Sequence, residues 1–101
     1  MNMNQILAQA QKMQKEMQKK LEELYKQEFT YDYQNGSVMV TITGKGVIKS
    51  IEINKTLIDP EDPITLQEMV TEAINSAIEQ VTAKADAIQQ SMMPSGMGGL
   101  F

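Results

Sequence analysis

The stretch from Phe29 to Thr43, FTYDYQNGSVMVTIT, decides the fold. Its apolar residues recur at every second position, which is the strand period. Asn35-Gly36 sits at its centre, and this dipeptide is the strongest short-range hairpin signal because both central positions of a type I′ turn need positive φ. A two-residue turn there pairs Tyr33 with Val38, Tyr31 with Val40 and Phe29 with Ile42. Those six side chains then share one face, so turn chemistry and hydrophobic alternation select the same register. Phe29, Tyr31, Tyr33, Val38, Val40 and Ile42 are therefore candidates for the core or for a dimer interface.

Downstream, Gly44-Lys45-Gly46 reads as a second turn, and both of its glycines as turn residues. A third strand follows, with Val47, Ile51 and Ile53 expected to face inward. Lys49 interrupts that alternation and predicts a bulge or an edge at a dimer contact.

Upstream, residues 3–26 are rich in Gln, Lys, Glu, Met, Leu and Ala and lack Gly and Pro, which predicts a helix. On a helical wheel Met3, Ile6, Leu7, Ala10, Met13, Met17, Leu21, Leu24 and Tyr25 fall within an arc of about 120°. Met13 and Met17 lie on that stripe and join the core or dimer candidates. Such a helix is ~36 Å long, whereas a compact domain of this size is about 26 Å across. One end must overhang or pack on another chain.

Residues 54–63, NKTLIDPEDP, form a connection. Asp62-Pro63 suits a cap and first helical position, and Thr65 to Glu68 suits a capping box one turn later. The second helix runs to about Met92, with Leu66, Val70, Ala73, Ala77, Val81 and Ile88 on its apolar stripe. The fold expected is α+β: a long helix, a three-stranded antiparallel meander and a second long helix in one domain, 1–93. Residues 94–101 form a Gly/Met tail expected to be flexible. Two amphipathic helices exceed what one face of a small sheet needs, and the surplus apolar surface predicts a homodimer.

Chemistry is constrained by absence. The 101 residues contain no Cys, His, Arg or Trp, so there is no thiolate or imidazole to act as nucleophile, base or soft ligand. Gly44-Lys45-Gly46 lacks the flanking residues of a phosphate loop. Asp59, Glu61 and Asp62 lack the alternation and central glycine of a calcium loop, and suit the N-terminus of a helix instead. The methionines read as packing, not copper ligands. A non-enzyme without cofactor or metal is expected. No apolar run is long enough to span a membrane and no secretory signal opens the chain, so a cytoplasmic location is expected.

Charge is unevenly spread. The net charge is −4, yet residues 1–26 carry five lysines against three glutamates, and residues 59–101 carry one lysine against seven acids. Lys12, Lys15, Lys19 and Lys26 fall in a stripe about 60° wide, almost opposite the apolar arc. Such a row can follow a phosphate backbone without reading bases. It can also be a solvated face, since Glu16–Lys20 and Glu22–Lys26 are favourable i,i+4 pairs. On the second helix Glu68, Glu72, Glu79 and Asp86 form an acidic stripe opposite its apolar one. That face repels phosphate, and it is a surface for a charged protein partner or for lateral contacts between copies.

The opening QAQKMQKEMQKKLEEL, the strand pair VMVTITGKGVIKSIEI, the segment LIDPEDPITLQEMVTEAINSAIEQV and the Gly/Met-rich end at Leu100-Phe101 occur together in an order that resembles the YbaB/EbfC family of small bacterial nucleoid-associated proteins. The resemblance spans nearly the whole chain. It implies a helix–sheet–helix protomer, a tweezer-shaped homodimer, a nucleoid location, and DNA binding with little sequence preference. It implies no catalytic residue. The alternative that the residues leave open is a homodimeric interaction or adaptor module that does not touch nucleic acid.

Overall fold

The computed structural model describes residues 2–91. The order is α1 (Met3–Lys26), β1 (Glu28–Tyr33), β2 (Val38–Thr43), β3 (Ile48–Ile53), a 3-10 turn (Lys55–Leu57) and α2 (Pro63–Ser91). The sheet is antiparallel in the order β1-β2-β3. This is the α+β helix–meander–helix expected. The Gly/Met tail and Met92 lie outside the described residues.

Each helix starts on a side chain that satisfies a free backbone donor. Asn2 Oδ1 accepts the Gln5 N–H at 2.9 Å. Asp62 accepts both the Thr65 N–H at 3.2 Å and the Thr65 hydroxyl at 2.6 Å. Of the two candidate starts for α2, Asp62-Pro63 is therefore used, and Thr65 serves the cap. The Thr65 hydroxyl and N–H hold the Asp62 carboxyl below the ordinary aspartate range.

The hairpin has the predicted register: Tyr33 opposes Val38, Tyr31 opposes Val40 and Phe29 opposes Ile42. The Ser37 N–H donates to the Gln34 carbonyl at 3.2 Å, which makes Asn35 (φ 54°) and Gly36 (φ 84°) the two central turn residues. Gln34 is also in the left-handed region, at φ 55°. Two bonds support it: the Asp32 carboxylate accepts from the Gly36 N–H, and the Ser37 hydroxyl donates to the Gln34 carbonyl at 2.7 Å.

On β3 the inward set differs from expectation. Val47 is 52% exposed and precedes the strand. Ile48 takes its place opposite Ile42 and Ile53 opposes Val38, both half-buried, while Ile51 opposes Val40 but stays 37% exposed, contrary to expectation. The register shifts between Thr41 and Ile42, which leaves Lys49 as the extra residue of a bulge and lets Ile48 and Ile51 share a face despite their spacing.

Gly44 lies in the expected turn, closed by the Gly46 N–H on the Thr43 carbonyl at 2.9 Å, but conformation is not what requires glycine there. It has no positive φ; of the two glycines in that turn only Gly46 does, at 97°. A Cβ on Gly44 would stand 2.0 Å from the Leu24 carbonyl oxygen and 2.6 Å from its carbon. The Gly44 N–H also donates to the Gln27 carbonyl at 3.0 Å. Gly44 is small so that the end of β2 can lie against the end of α1.

The core is narrow. Val38, Val40 and Ile42 of β2 are fully buried, as are Ala77 and, to within 2%, Val81 and Ala73 of α2. Burying a Val- or Ile-sized side chain contributes about 1.5–3 kcal/mol. Phe29, Tyr31, Tyr33, Ile48, Leu57, Met69, Val70 and Ile74 pack around this strip. Tyr31 reaches far enough in for its hydroxyl to be buried without a hydrogen-bond partner among the described residues, and burial raises its pKa. On α1 only Leu24 is buried, and Met13, Met17 and Leu21 are half-buried. Met3, Ile6 and Leu7 are 72%, 50% and 54% exposed. The first turns of α1 therefore overhang, and the molecule extends 70 × 28 × 17 Å.

Two glycine substitutions separate the two constraints. Gly36→Val meets no atom within 4 Å but must hold positive φ, and is expected to destabilise by about 1 kcal/mol or more. Gly44→Ala has ordinary φ but drives a methyl into α1 backbone, and is expected to destabilise by about 3 kcal/mol, the upper end of overpacking costs. Denaturant midpoints measure both, and a Gly44→Ala midpoint equal to wild type would refute the close approach. Tyr31→Phe removes an unpaired buried hydroxyl and is expected to leave the midpoint unchanged or raise it. A drop would show that the hydroxyl has a partner.

Candidate nucleic-acid interface

The outer face of α1 carries the lysine row. Met13, Met17, Leu21 and Leu24 turn that helix inward, and the 3.6-residue period then fixes what turns outward. Lys12, Lys15, Lys19 and Lys26 are all exposed. Along the axis their Cα atoms are separated by ~4.5, ~6 and ~10.5 Å, a row of ~21 Å. Lys20, Glu16, Glu22 and Glu23 are exposed beside it, so the face is a cationic row within a mixed margin.

The core and dimer candidates divide. Val38, Val40 and Ile42 are fully buried. Phe29, Tyr31 and Tyr33 flank them, with the Phe29 and Tyr31 rings stacked at 6.3 Å. All three are half-buried against the core strip.

Acidic groups occupy the other helix. Glu68, Glu72, Glu79 and Asp86 are exposed. Glu72 is not purely solvated: its carboxylate accepts the Tyr33 hydroxyl. That bond, together with desolvation, raises the pKa of Tyr33. Asp59 accepts the Glu61 N–H at 2.9 Å and Asp62 caps α2, so these acids support backbone. Among the described residues no three metal-ligating side chains converge.

One charged residue escaped the sequence reading. Lys84 lies seven residues after Ala77 and three after Val81, which puts it on the apolar stripe of α2. Its ammonium sits 4.8 Å from the centroid of the Phe29 ring, a cation–π contact. The wheel position was the available signal.

The chain matches the YbaB/EbfC DNA-binding family over residues 1–97. It is 44% identical over 94 residues to a nucleoid-associated protein of Malacoplasma penetrans, covering 93% of this chain and 99% of that one. It is 46% identical over 81 residues to a nucleoid-associated protein of Lactococcus lactis, covering 80% and 82% of the two chains. The crystal structure of an uncharacterized Helicobacter pylori protein has the same fold, with a TM-score of 0.73 at 22% identity, covering 93% of this chain and 99% of that one. The matched family is defined by DNA binding and not by an enzymatic reaction. Matched over nearly its full length, and folded as a helix–meander–helix, this chain is a member of the YbaB/EbfC DNA-binding family.

Proposed function

We propose that this protein is a homodimeric, non-enzymatic nucleoid-associated protein that binds DNA weakly and with little sequence preference, through phosphate contacts from Lys12, Lys15, Lys19 and Lys26. The observation that carries the reading is that these four lysines share one exposed face of a helix in a chain of a DNA-binding family. Its place is at the nucleoid, in the cytoplasm. With no arginine, bidentate guanine contacts are unavailable, which favours backbone over base readout. The net charge of −4 and the α2 acids oppose DNA, so binding is weak and DNA meets α1 with α2 turned away. Dimerisation is supported by Met3, Ile6 and Leu7, apolar residues left exposed on the overhanging part of α1.

A second reading is favoured by the acidic balance: an adaptor whose Glu68, Glu72, Glu79 and Asp86 face receives a basic protein and whose α1 face is merely solvated. Gel shifts on unrelated duplexes separate the two. Changing the four lysines to Gln is expected to weaken binding alike on every sequence, and to flatten the slope of log affinity against log salt by roughly 0.9 per lost contact. No binding by the unmodified protein at ~0.05 M salt, within the range where phosphate contacts are strong, would reject the DNA reading, as would equal binding by the lysine-free variant.

The dimer is tested separately. Light scattering at micromolar concentration is expected to give twice the protomer's 11.3 kDa. Met3, Ile6 and Leu7 changed together to Gln are expected to shift the mass toward the protomer. A protomer mass for the unmodified chain would overturn this part alone.

A further inference from the structure

We infer that the acidic face of α2 in one copy docks on the lysine face of α1 in another, as a reversible contact separate from the apolar dimer surface. The spacing carries the inference. Lys12, Lys19 and Lys26 lie at intervals of seven residues, and so do Glu72, Glu79 and Asp86. Each interval is two helical turns, ~10.5 Å along the axis, so both rows span ~21 Å. Each row drifts by the same ~20° per interval, the geometry that lets flanking charges pair along two adjacent helices.

Equal spacing makes the rows match in either direction. Side by side in parallel, Lys12 meets Glu72, Lys19 meets Glu79 and Lys26 meets Asp86. In the antiparallel arrangement Lys12 meets Asp86, Lys19 still meets Glu79 and Lys26 meets Glu72. All six residues are exposed. Both rows lie away from the apolar stripes through which α1 and α2 pack into the protomer, so one chain cannot bring its own rows together. Glu72 is held in place by the Tyr33 hydroxyl on Oε2, which leaves Oε1 for a lysine. Exposed ion pairs are individually weak, so the contact is transient and salt-sensitive.

The contact is heterologous, since each copy offers a different face, so it builds a ring where the rotation closes and an open assembly where it does not. It also uses lysines assigned above to phosphate. If that assignment holds, DNA and a neighbour's α2 exclude one another on α1. The self-association itself does not depend on the assignment, and it is tested without DNA.

The experiment is sedimentation velocity of the full chain over a concentration series, at ~0.01 M salt, where the screening length is about 30 Å, and at ~1 M, where it is about 3 Å. One variant carries Lys12, Lys19 and Lys26→Gln; the other carries Glu72 and Glu79→Gln with Asp86→Asn. Circular dichroism establishes that both fold. The unmodified protein is expected to grow with concentration at low salt, to about twice its basal mass or beyond, and to return to the basal mass at high salt. Each variant alone is expected to stay at the basal mass, because each lacks one of the two faces. Mixing them is expected to restore association, because each supplies what the other lacks. The net charge of −4 on every copy predicts the reverse, a repulsion strongest at low salt. Absence of low-salt growth, growth of either variant alone to the wild-type extent, or failure of the mixture to associate would each overturn the inference.

Discussion

The contact on which the molecule depends is the laying of α2 along β2. Ala73 and Ala77 are small enough for the helix to approach the sheet closely, and Val81 extends the line by one turn. Beneath them Val38, Val40 and Ile42 are fully buried. β2 is the central strand, so one strip of side chains anchors the helix above it and both neighbouring strands beside it. The edges of the strip are closed by polar groups acting at their apolar ends: the Tyr33 hydroxyl on Glu72 at one position and the Lys84 ammonium over Phe29 at another. Those two contacts fix which side of α2 overlooks β1. They therefore also fix where the acidic face lies.

Attachment of α1 is a different problem, solved by an absence. Leu24 is its one buried residue, and Gly44 admits the Leu24 backbone to the end of β2. The carbonyl of Gln27 accepts from the Gly44 amide across that junction. Because the half-buried Met13, Met17 and Leu21 continue from Leu24 along one face, the orientation of the lysine row follows from the same junction. The charge pattern of α1 is thus a property of the sequence, whereas its direction in space is a property of one glycine.

Much of this was legible in the chain. The hairpin register was, because the two-residue period and the Asn-Gly turn are independent signals that agree on the pairing of Tyr31 with Val40. The lysine face was, because nothing but the helical period is needed to place Lys12, Lys15, Lys19 and Lys26. The inward residue of β3 was not: Val47 and Ile48 are both β-branched, and only the position of the bulge at Lys49 chooses between them. The turn at Gly44 was legible, but the packing need for glycine there was not, because a close approach between elements leaves no local mark. Glu72 was placed on the correct face, but its bond to Tyr33 joins residues 39 apart in sequence, and no local pattern reports such a pairing. Lys84 falls among apolar residues on the wheel, but no local pattern reports that its ammonium meets Phe29, 55 residues away in sequence.

The junction at Leu24 and Gly44 clamps one end of α1, and Met13, Met17 and Leu21 continue the grip along the helix. From Met13 to Met3 the remaining arm measures ~15 Å, and every residue on it is exposed. A tilt of about 10° at its root would carry the tip about 3 Å and leave the rest of the helix in place. Support is consequently graded: Lys26, Lys19 and Lys15 stand over the held part and share the orientation of the sheet, while Lys12 stands at the root of the projecting lever.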